Sequence, residues 1–182
     1  MSTKPAEIVI RREDAVFRLD RRGRWCNEFG VFRNRRISEY FHSAIRRDEG
    51  GYFVCQERGN LIEKVYFPYE DTALFVTDLT LGPTITLRLN NRHRTDLKPE
   101  QLFVADDSLY LTSGDERIKF TERALLQLAD VMDFTDEGYF IRIDGRRYRI
   151  RESGGGGACP ACNFTSGSIR AYVRTVPTEV AV

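Results

Sequence analysis

The 182-residue sequence has no long apolar stretch, and this absence limits the classes of protein to consider. Its hydrophobic runs are short and interrupted by charged residues, so none approaches the roughly 20 apolar residues that a membrane-spanning helix needs. The first fourteen residues, MSTKPAEIVIRRED, also lack the apolar core of a signal peptide. These absences predict a cytoplasmic protein without a membrane span.

Cysteine and histidine are scarce, with four and two residues respectively. The cysteines are too few and too unevenly spaced for the disulfide framework of a small secreted domain, so reduced thiols are expected. The sequence has no nucleophile elbow, no phosphate-binding loop and no dinucleotide-binding glycine motif. Because no acid, base and nucleophile converge in any motif, the sequence predicts a protein that is not an enzyme.

One cysteine pair has a spacing with established chemistry, formed by Cys159 and Cys162 in the segment CPAC. Two thiolates at this spacing can supply half of a tetrahedral zinc site or form a redox-active disulfide. The pair follows four glycines, so an ordinary turn in a tail is the alternative. Zinc is the one cofactor hypothesis, and its two further ligands would have to come from the remaining cysteines and histidines of the chain, which are Cys26, Cys55, His42 and His93.

Lysine is also scarce, with four residues against 24 arginines. Between Arg11 and Arg47 there are eleven arginines and five acids, so the first quarter of the chain is basic although the net charge is only +1. Guanidinium groups suit bidentate contacts with phosphate or carboxylate, which favours an anionic ligand. The alternative is that a GC-rich genome encodes arginine by preference and that these side chains are solvated.

An internal repeat is the clearest feature of the organisation. Both copies predict strand, turn, aromatic strand, turn, helix, and then an acidic-glycine turn before another aromatic strand. Trp25 corresponds to Tyr110 and Tyr52 corresponds to Tyr139, at offsets of 85 and 87 residues. A single pair of long units indicates domain duplication, since solenoids need several shorter repeats.

The predicted fold class is therefore α+β, with two similar units that each contain a small antiparallel sheet or partial barrel and one packed helix. Residues 72–80 and 84–89 are expected to form a hairpin. The predicted divisions are an N-terminal arm at 1–14, a first α+β unit at 15–70, a second at 71–152, and a glycine-rich linker with a C-terminal tail at 153–182.

Each predicted helix has one apolar face, which we expect to lie against the sheet of its own unit. Thr121 is the expected N-cap of the second helix. The apolar positions are Ile37, Tyr40, Phe41, Ala44 and Ile45 in the first helix region and Leu125, Leu128, Ala129 and Met132 in the second.

Several short stretches together resemble a bacterial family of proteins with a domain of unknown function, numbered 1285. The resemblance spans about residues 17–150, and its second half matches in pattern only. The stretches that carry it are 20–25 (DRRGRW), 45–52 (IRRDEGGY), 63–65 (EKV), 70–71 (ED) and 75–76 (FV).

This resemblance implies a duplicated core of two α+β units, the second of them similar to a pleckstrin-homology-like barrel. It also implies a nucleotide-like ligand between the units and a role in signal transduction, without an established activity. The linker and the CPAC tail lie outside the resemblance and inherit no function from it.

The leading functional hypothesis is a non-enzymatic ligand-binding or regulatory protein with a nucleotide-like anion at the interface of the two units. Arg46, Arg47 and Lys64 are the expected contacts to anionic oxygens, and Trp25 or Tyr52 is expected to stack on an aromatic ring. One alternative is a zinc-binding or redox protein that uses the CPAC tail. Another is a protein-interaction adaptor whose basic first unit binds an acidic partner. No sequence-specific nucleic-acid motif is present.

Overall fold

The computed structural model describes residues 5–153 and 169–175, and its fold is α+β, as predicted. Two compact units share the chain. Unit 1 comprises Met1–Leu74 and Asn90–His93, and unit 2 comprises Phe75–Leu89 and Arg94–Val182. The boundary thus falls shortly after the one expected at residue 70, and a short turn from the following segment returns to unit 1. Neither helix of the described residues has the length and apolarity to cross a membrane.

Unit 1 consists of two sheets and one helix. Its strands are β1 (Ala6–Ile10), β2 (Arg18–Leu19), β3 (Trp25–Asn27), β4 (Gly30–Val31), β5 (Ile45–Asp48), β6 (Gly51–Arg58) and β7 (Leu61–Tyr66), and its helix is α1 (Arg35–Ser43). The larger sheet has the order β1-β7-β6-β5, and the smaller has the order β2-β3-β4. Strand β1 pairs in parallel with β7, so part of the predicted N-terminal arm belongs to the sheet of unit 1.

Unit 2 contains a seven-stranded sheet, a four-stranded sheet and the second helix. Its elements are β8 (Leu74–Thr80), β9 (Thr86–Leu89), β10 (Arg94–Asp96), β11 (Leu102–Ala105), β12 (Ser108–Ser113), β13 (Glu116–Phe120), α2 (Glu122–Leu128), β14 (Met132–Thr135), β15 (Gly138–Ile143), β16 (Arg146–Arg149), β17 (Arg151–Glu152) and β18 (Arg174–Thr175). The sheet orders are β10-β9-β8-β13-β12-β11-β17 and β16-β15-β14-β18. The antiparallel pairing of β8 with β9 confirms the predicted hairpin.

The order of elements around the two helices is the same. Strands β2 to β4 precede α1 and β5 to β7 follow it, while β11 to β13 precede α2 and β14 to β16 follow it. The duplication and the pleckstrin-homology-like shape of the second unit stay predictions, because an equal order of elements does not establish equal packing.

The two helices differ in burial. Helix α2 begins after Thr121, whose hydroxyl accepts a hydrogen bond from the backbone nitrogen of Ala124, and it buries Ala124, Leu125 and Leu128. Helix α1 has no buried residue, and Ile37 and Tyr40 on its apolar face are 45% and 46% exposed. The expectation that this face lies against the sheet is therefore met only in part for the first helix region, because Ala44 and Ile45 are buried and Phe41 contacts Trp25 while Ile37 and Tyr40 stay in solvent.

His42 fixes the C-terminal end of α1. Its Nδ1 lies 3.2 Å from the amide nitrogen of Asn90, which also donates to the carbonyl oxygen of Ala73 at 3.0 Å. Burial lowers the pKa of His42 from 6.5 to about 4, while a hydrogen bond with the backbone of Gly23 acts in the opposite direction. The ring is therefore neutral at pH 7 and accepts the hydrogen bond from Asn90.

Substitution of two isoleucines of unit 1 tests whether the apolar face of α1 is part of the core. Ile45 is 1% exposed, so Ile45→Ala should lower the free energy of unfolding by about 2–5 kcal/mol. Ile37→Ala should change it by less than about 0.5 kcal/mol, because that side chain is largely solvated. Urea denaturation followed by the fluorescence of Trp25, the single tryptophan, measures both. Equal losses in the two variants would show that the apolar face of α1 is part of the core.

The pKa of His42 predicts a specific pH dependence. Between about pH 6.5 and 4 the unfolded chain binds a proton at His42 that the folded protein excludes, so stability falls as the pH falls. The loss over this window is roughly 3 kcal/mol. Urea denaturation between pH 7 and 4.5 should show this slope in the wild type and in His93→Gln, whose histidine is exposed. The slope should be largely absent in His42→Gln, and its persistence there would contradict the assignment.

Candidate functional site

Trp25, which the sequence predicted to stack on a ligand, lies in the core of unit 1. It is 1% exposed, and the ring centroids of Phe17, Phe41 and Phe67 lie 5.4, 5.6 and 4.8 Å from its own. Its Nε1 is the one buried side-chain nitrogen or oxygen of the described residues without a hydrogen-bond partner. Aromatic side chains of the protein thus surround the indole, so Trp25 packs in the core of unit 1 and is not exposed for stacking on a ligand.

The four other predicted site residues lie on two faces of the larger sheet of unit 1. The pairing of β5 with β6 and of β6 with β7 places Arg46 and Lys64 on one face and Arg47 and Tyr52 on the other. This follows from the alternation of side chains along a strand. Arg47 and Tyr52 are brought together, with the guanidinium carbon 5.5 Å from the ring centroid. The sheet does not bring all four residues to one point.

Lys64 and Arg46 already contact groups of their own chain. The Nζ of Lys64 lies 3.1 Å from Oε1 of Glu7 and 3.7 Å from Oδ2 of Asp48. The hydrogen bond with Glu7 raises the pKa of Lys64. Nη1 of Arg46 donates to the carbonyl oxygens of Ser43 and Ile45 at 2.7 and 2.9 Å. An anion that bound either cation would have to compete with these contacts.

The predicted zinc or redox residues, Cys159 and Cys162, lie outside the described residues. Within residues 5–153 and 169–175, no group of three or more histidine, cysteine, aspartate or glutamate side chains could hold a metal ion. The zinc and redox hypotheses for the CPAC segment therefore stay predictions.

A groove of about 1040 Å³ in unit 1 is the strongest candidate site. One wall is formed by α1 and by the turn between β3 and β4, and the other by one face of the larger sheet. Phe17 and Phe41, which contact Trp25, line the groove, and so does Val65 of β7. The core that buries Trp25 thus also supports the apolar lining of this groove.

Large apolar side chains line this groove and remain in contact with solvent. The exposed fractions are 87% for Phe29, 81% for Val16, and between 44% and 46% for Val31, Ile37 and Tyr40. Single exposed apolar residues are normal on a protein surface, whereas a contiguous group in a concave surface indicates binding. The lining is therefore suited to the apolar part of a ligand.

The position of Phe29 follows from the local sequence NEFG. The side chain of Asn27 accepts a hydrogen bond from the backbone nitrogen of Phe29 at 3.0 Å, which closes an Asx turn. Gly30 then adopts a φ of +108°, a conformation that other residues rarely take. The turn holds an aromatic residue at its tip, where polar residues are usual.

Three arginines also line the groove: Arg33, Arg36 and Arg58. None of them forms an ion pair with a carboxylate of the described residues. Asp14 and Glu63 are the acidic lining residues, and Glu63 accepts a hydrogen bond from Gln56 at 3.1 Å. The groove therefore combines an apolar surface with guanidinium groups that are available to an anion.

These groove residues were not predicted from the local sequence, for a physical reason. The apolar face of α1 was expected to lie against its sheet, and the turn in the NEFG segment was not recognised. Two signals were available: an aromatic residue in that turn, and the absence of any acidic residue in the first turn of α1. Acidic residues are favoured there by the helix dipole, so their absence is informative.

Comparisons with known proteins show the fold. No family model matches the chain, and no curated protein matches it. The crystal structure of a DUF1285 family protein from Silicibacter pomeroyi DSS-3 matches with a TM-score of 0.53 and 14% identity, over 81% of this chain and 83% of that chain. A DUF1285 family protein from Shewanella baltica OS155 gives a TM-score of 0.42 and 17% identity, over 59% of this chain and 84% of that chain. The resemblance seen in the sequence is thus confirmed at the level of structure: this protein has the fold of a DUF1285 family protein.

Proposed function

We propose that this protein is a non-enzymatic ligand-binding protein whose unit 1 groove binds an amphipathic anion. The observation that carries the proposal is that solvated apolar side chains and three arginines without a carboxylate partner line the same groove. A ligand with an apolar or aromatic body and an anionic head matches both features.

The apolar lining supplies most of the expected binding energy. Burying a side chain such as Phe29 or Ile37 completely is worth about 1.5–3 kcal/mol, and Val16, Val31 and Tyr40 add further surface. Ordering and desolvation costs offset part of this gain, so the exposed apolar area alone supports moderate affinity. The arginines would then orient the ligand.

The N-terminal end of α1 is the favoured position for the anionic head. Asn34 caps the helix through hydrogen bonds to the backbone nitrogens of Arg36 and Ile37. Arg33 and Arg36 lie beside this positive end of the helix dipole, and the first turn contains no acid. Like charges at a helix end destabilise it by about 0.3–1 kcal/mol each, and a bound anion would reverse this cost.

The nucleotide-like anion expected from the sequence is one member of this ligand class, because it combines a ring with phosphates. A site between the two units stays a prediction from the resemblance. Regulation in signal transduction is part of the proposal because the family resemblance implies such a role. The shared order of elements around α1 and α2 supports the further hypothesis of duplicated units.

Titration with the aromatic sulfonate 1-anilinonaphthalene-8-sulfonate tests the site. The probe should bind the wild type with increased fluorescence and should alter the emission of Trp25, whose ring lies 5.6 Å from that of Phe41. Arg36→Ala should weaken binding about tenfold through loss of a charge-assisted contact. Arg35→Ala is the matched control, because Arg35 pairs with Glu39 at 2.6 Å and does not line the groove.

The apolar part of the site has a separate test. Phe29→Ala with Ile37→Ala should weaken probe binding while leaving the thermal melting temperature nearly unchanged, since both side chains are solvated. Nucleotides and octanoate, added as competitors, then distinguish aromatic from aliphatic natural ligands. Equal losses in Arg35→Ala and Arg36→Ala, or unchanged binding in the double variant, would place the probe outside the groove.

A further inference from the structure

A hairpin in unit 2 forms a basic surface that the groove of unit 1 does not involve. Strands β15 and β16 are joined by Asp144 and Gly145, with φ values of +49° and +71°. Positive φ at both central residues defines the tight turn that matches the twist of paired strands. The register of the hairpin, and so the side on which each residue projects, is therefore fixed.

In that register, three arginines lie on one face of the sheet. Arg142 is paired with Arg147 and Phe140 is paired with Arg149, and the alternation of side chains puts all four on the same side of the sheet. The guanidinium carbon of Arg147 lies 3.6 Å from the ring centroid of Phe140. We call this surface, formed by Arg142, Arg147 and Arg149 around Phe140, the basic face.

Positive charge is in excess on the basic face. Arg142 pairs with Asp133, with its Nε 3.2 Å from Oδ2, and it also donates to the carbonyl oxygen of Asp130. Arg147 and Arg149 have no carboxylate partner among the described residues. Two like charges placed directly opposite each other, as in Arg142 and Arg147, destabilise a sheet. Asp133 already offsets part of this repulsion, and a bound anion would offset the remainder.

Protection of a sheet edge explains only part of this pattern. Strand β16 ends the order of its sheet, and charged side chains on such a strand prevent pairing with other molecules. Arg142, however, lies on β15, which has strands on both sides. Arg142 itself is paired with Asp133, so the excess charge lies on β16, where Arg147 and Arg149 can both protect the edge and bind an anion.

We propose that the basic face binds the sugar–phosphate backbone of a nucleic acid without recognising bases. Guanidinium forks bind phosphate oxygens in pairs, and Arg147 and Arg149 are spaced along the strand by about 6.7 Å, so they can contact a linear row of charges. The ring on this face, Phe140, is 8% exposed and lies under Arg147, so it is not open to base stacking. An amphipathic acidic peptide would find no open apolar surface here, which favours the nucleic acid.

Fluorescence polarisation with a labelled 20-nucleotide oligothymidylate tests this proposal. The wild-type protein should bind at 50 mM NaCl and release the strand as salt is added. Arg147→Gln with Arg149→Gln should weaken binding at least tenfold and reduce the slope of log affinity against log salt by about 1.4, because each lost phosphate contact contributes about 0.7. Arg149→Gln alone should produce about half of this change in slope.

The matched control is Arg117→Gln with Arg123→Gln, which removes the same charge from unit 2 away from the basic face. Its affinity should stay within twofold of the wild type. Thermal melting shows whether each variant is folded. If the double variant does not fold, Arg149→Gln alone still tests the proposal, because Arg149 has no carboxylate partner among the described residues. Equal losses in both double variants, no binding at 50 mM NaCl, or equal displacement by oligoglutamate would overturn the proposal.

Discussion

The packing of aromatic rings around Trp25 is the constraint on which unit 1 depends. Phe17, Phe41 and Phe67 approach the indole edge-on, and each such pair adds about 0.5–1.5 kcal/mol beyond the burial of its area. Helix α1 joins this cluster mainly through Phe41 and, at its end, through His42. Since these inner contacts hold the helix, the remainder of its apolar face is left free to line a groove.

The two helices differ in how much apolar surface they bury. Helix α2 follows the same order of strands and buries three residues, whereas α1 buries none and keeps Ile37 and Tyr40 in solvent. A groove with this much solvated apolar surface favours unwanted association, so a protein retains it where a partner or ligand covers it. The positive charge at the first turn of α1 also destabilises the helix end. An amphipathic anion would cover the apolar surface and offset this charge.

Much of the fold could be predicted from residue patterns, and part of the site could not. Hydrophobic periodicity indicated both helices, and the cap at Thr121 indicated where α2 begins. Turn residues indicated the hairpin of β8 and β9. Alternation along a strand could also have separated Arg46 from Arg47, since adjacent residues of a strand project to opposite faces. The convergence of Arg33 with Arg58, and the burial of Trp25, depend on tertiary packing that no local pattern contains.

The net charge of +1 does not reveal the local arrangement of charges, because it sums acids and arginines over the whole chain. Asp106, Asp107 and Asp144 adopt positive φ in turns, where aspartate is tolerated for conformational reasons. Arg147 and Arg149 form no ion pair with a carboxylate of the described residues, whereas Arg142 pairs with Asp133. A chain that is balanced overall can therefore have local surfaces suited to anions. Net charge is accordingly a poor guide to the binding properties of such a fold, and the position of each charge on its strand or turn is a better one.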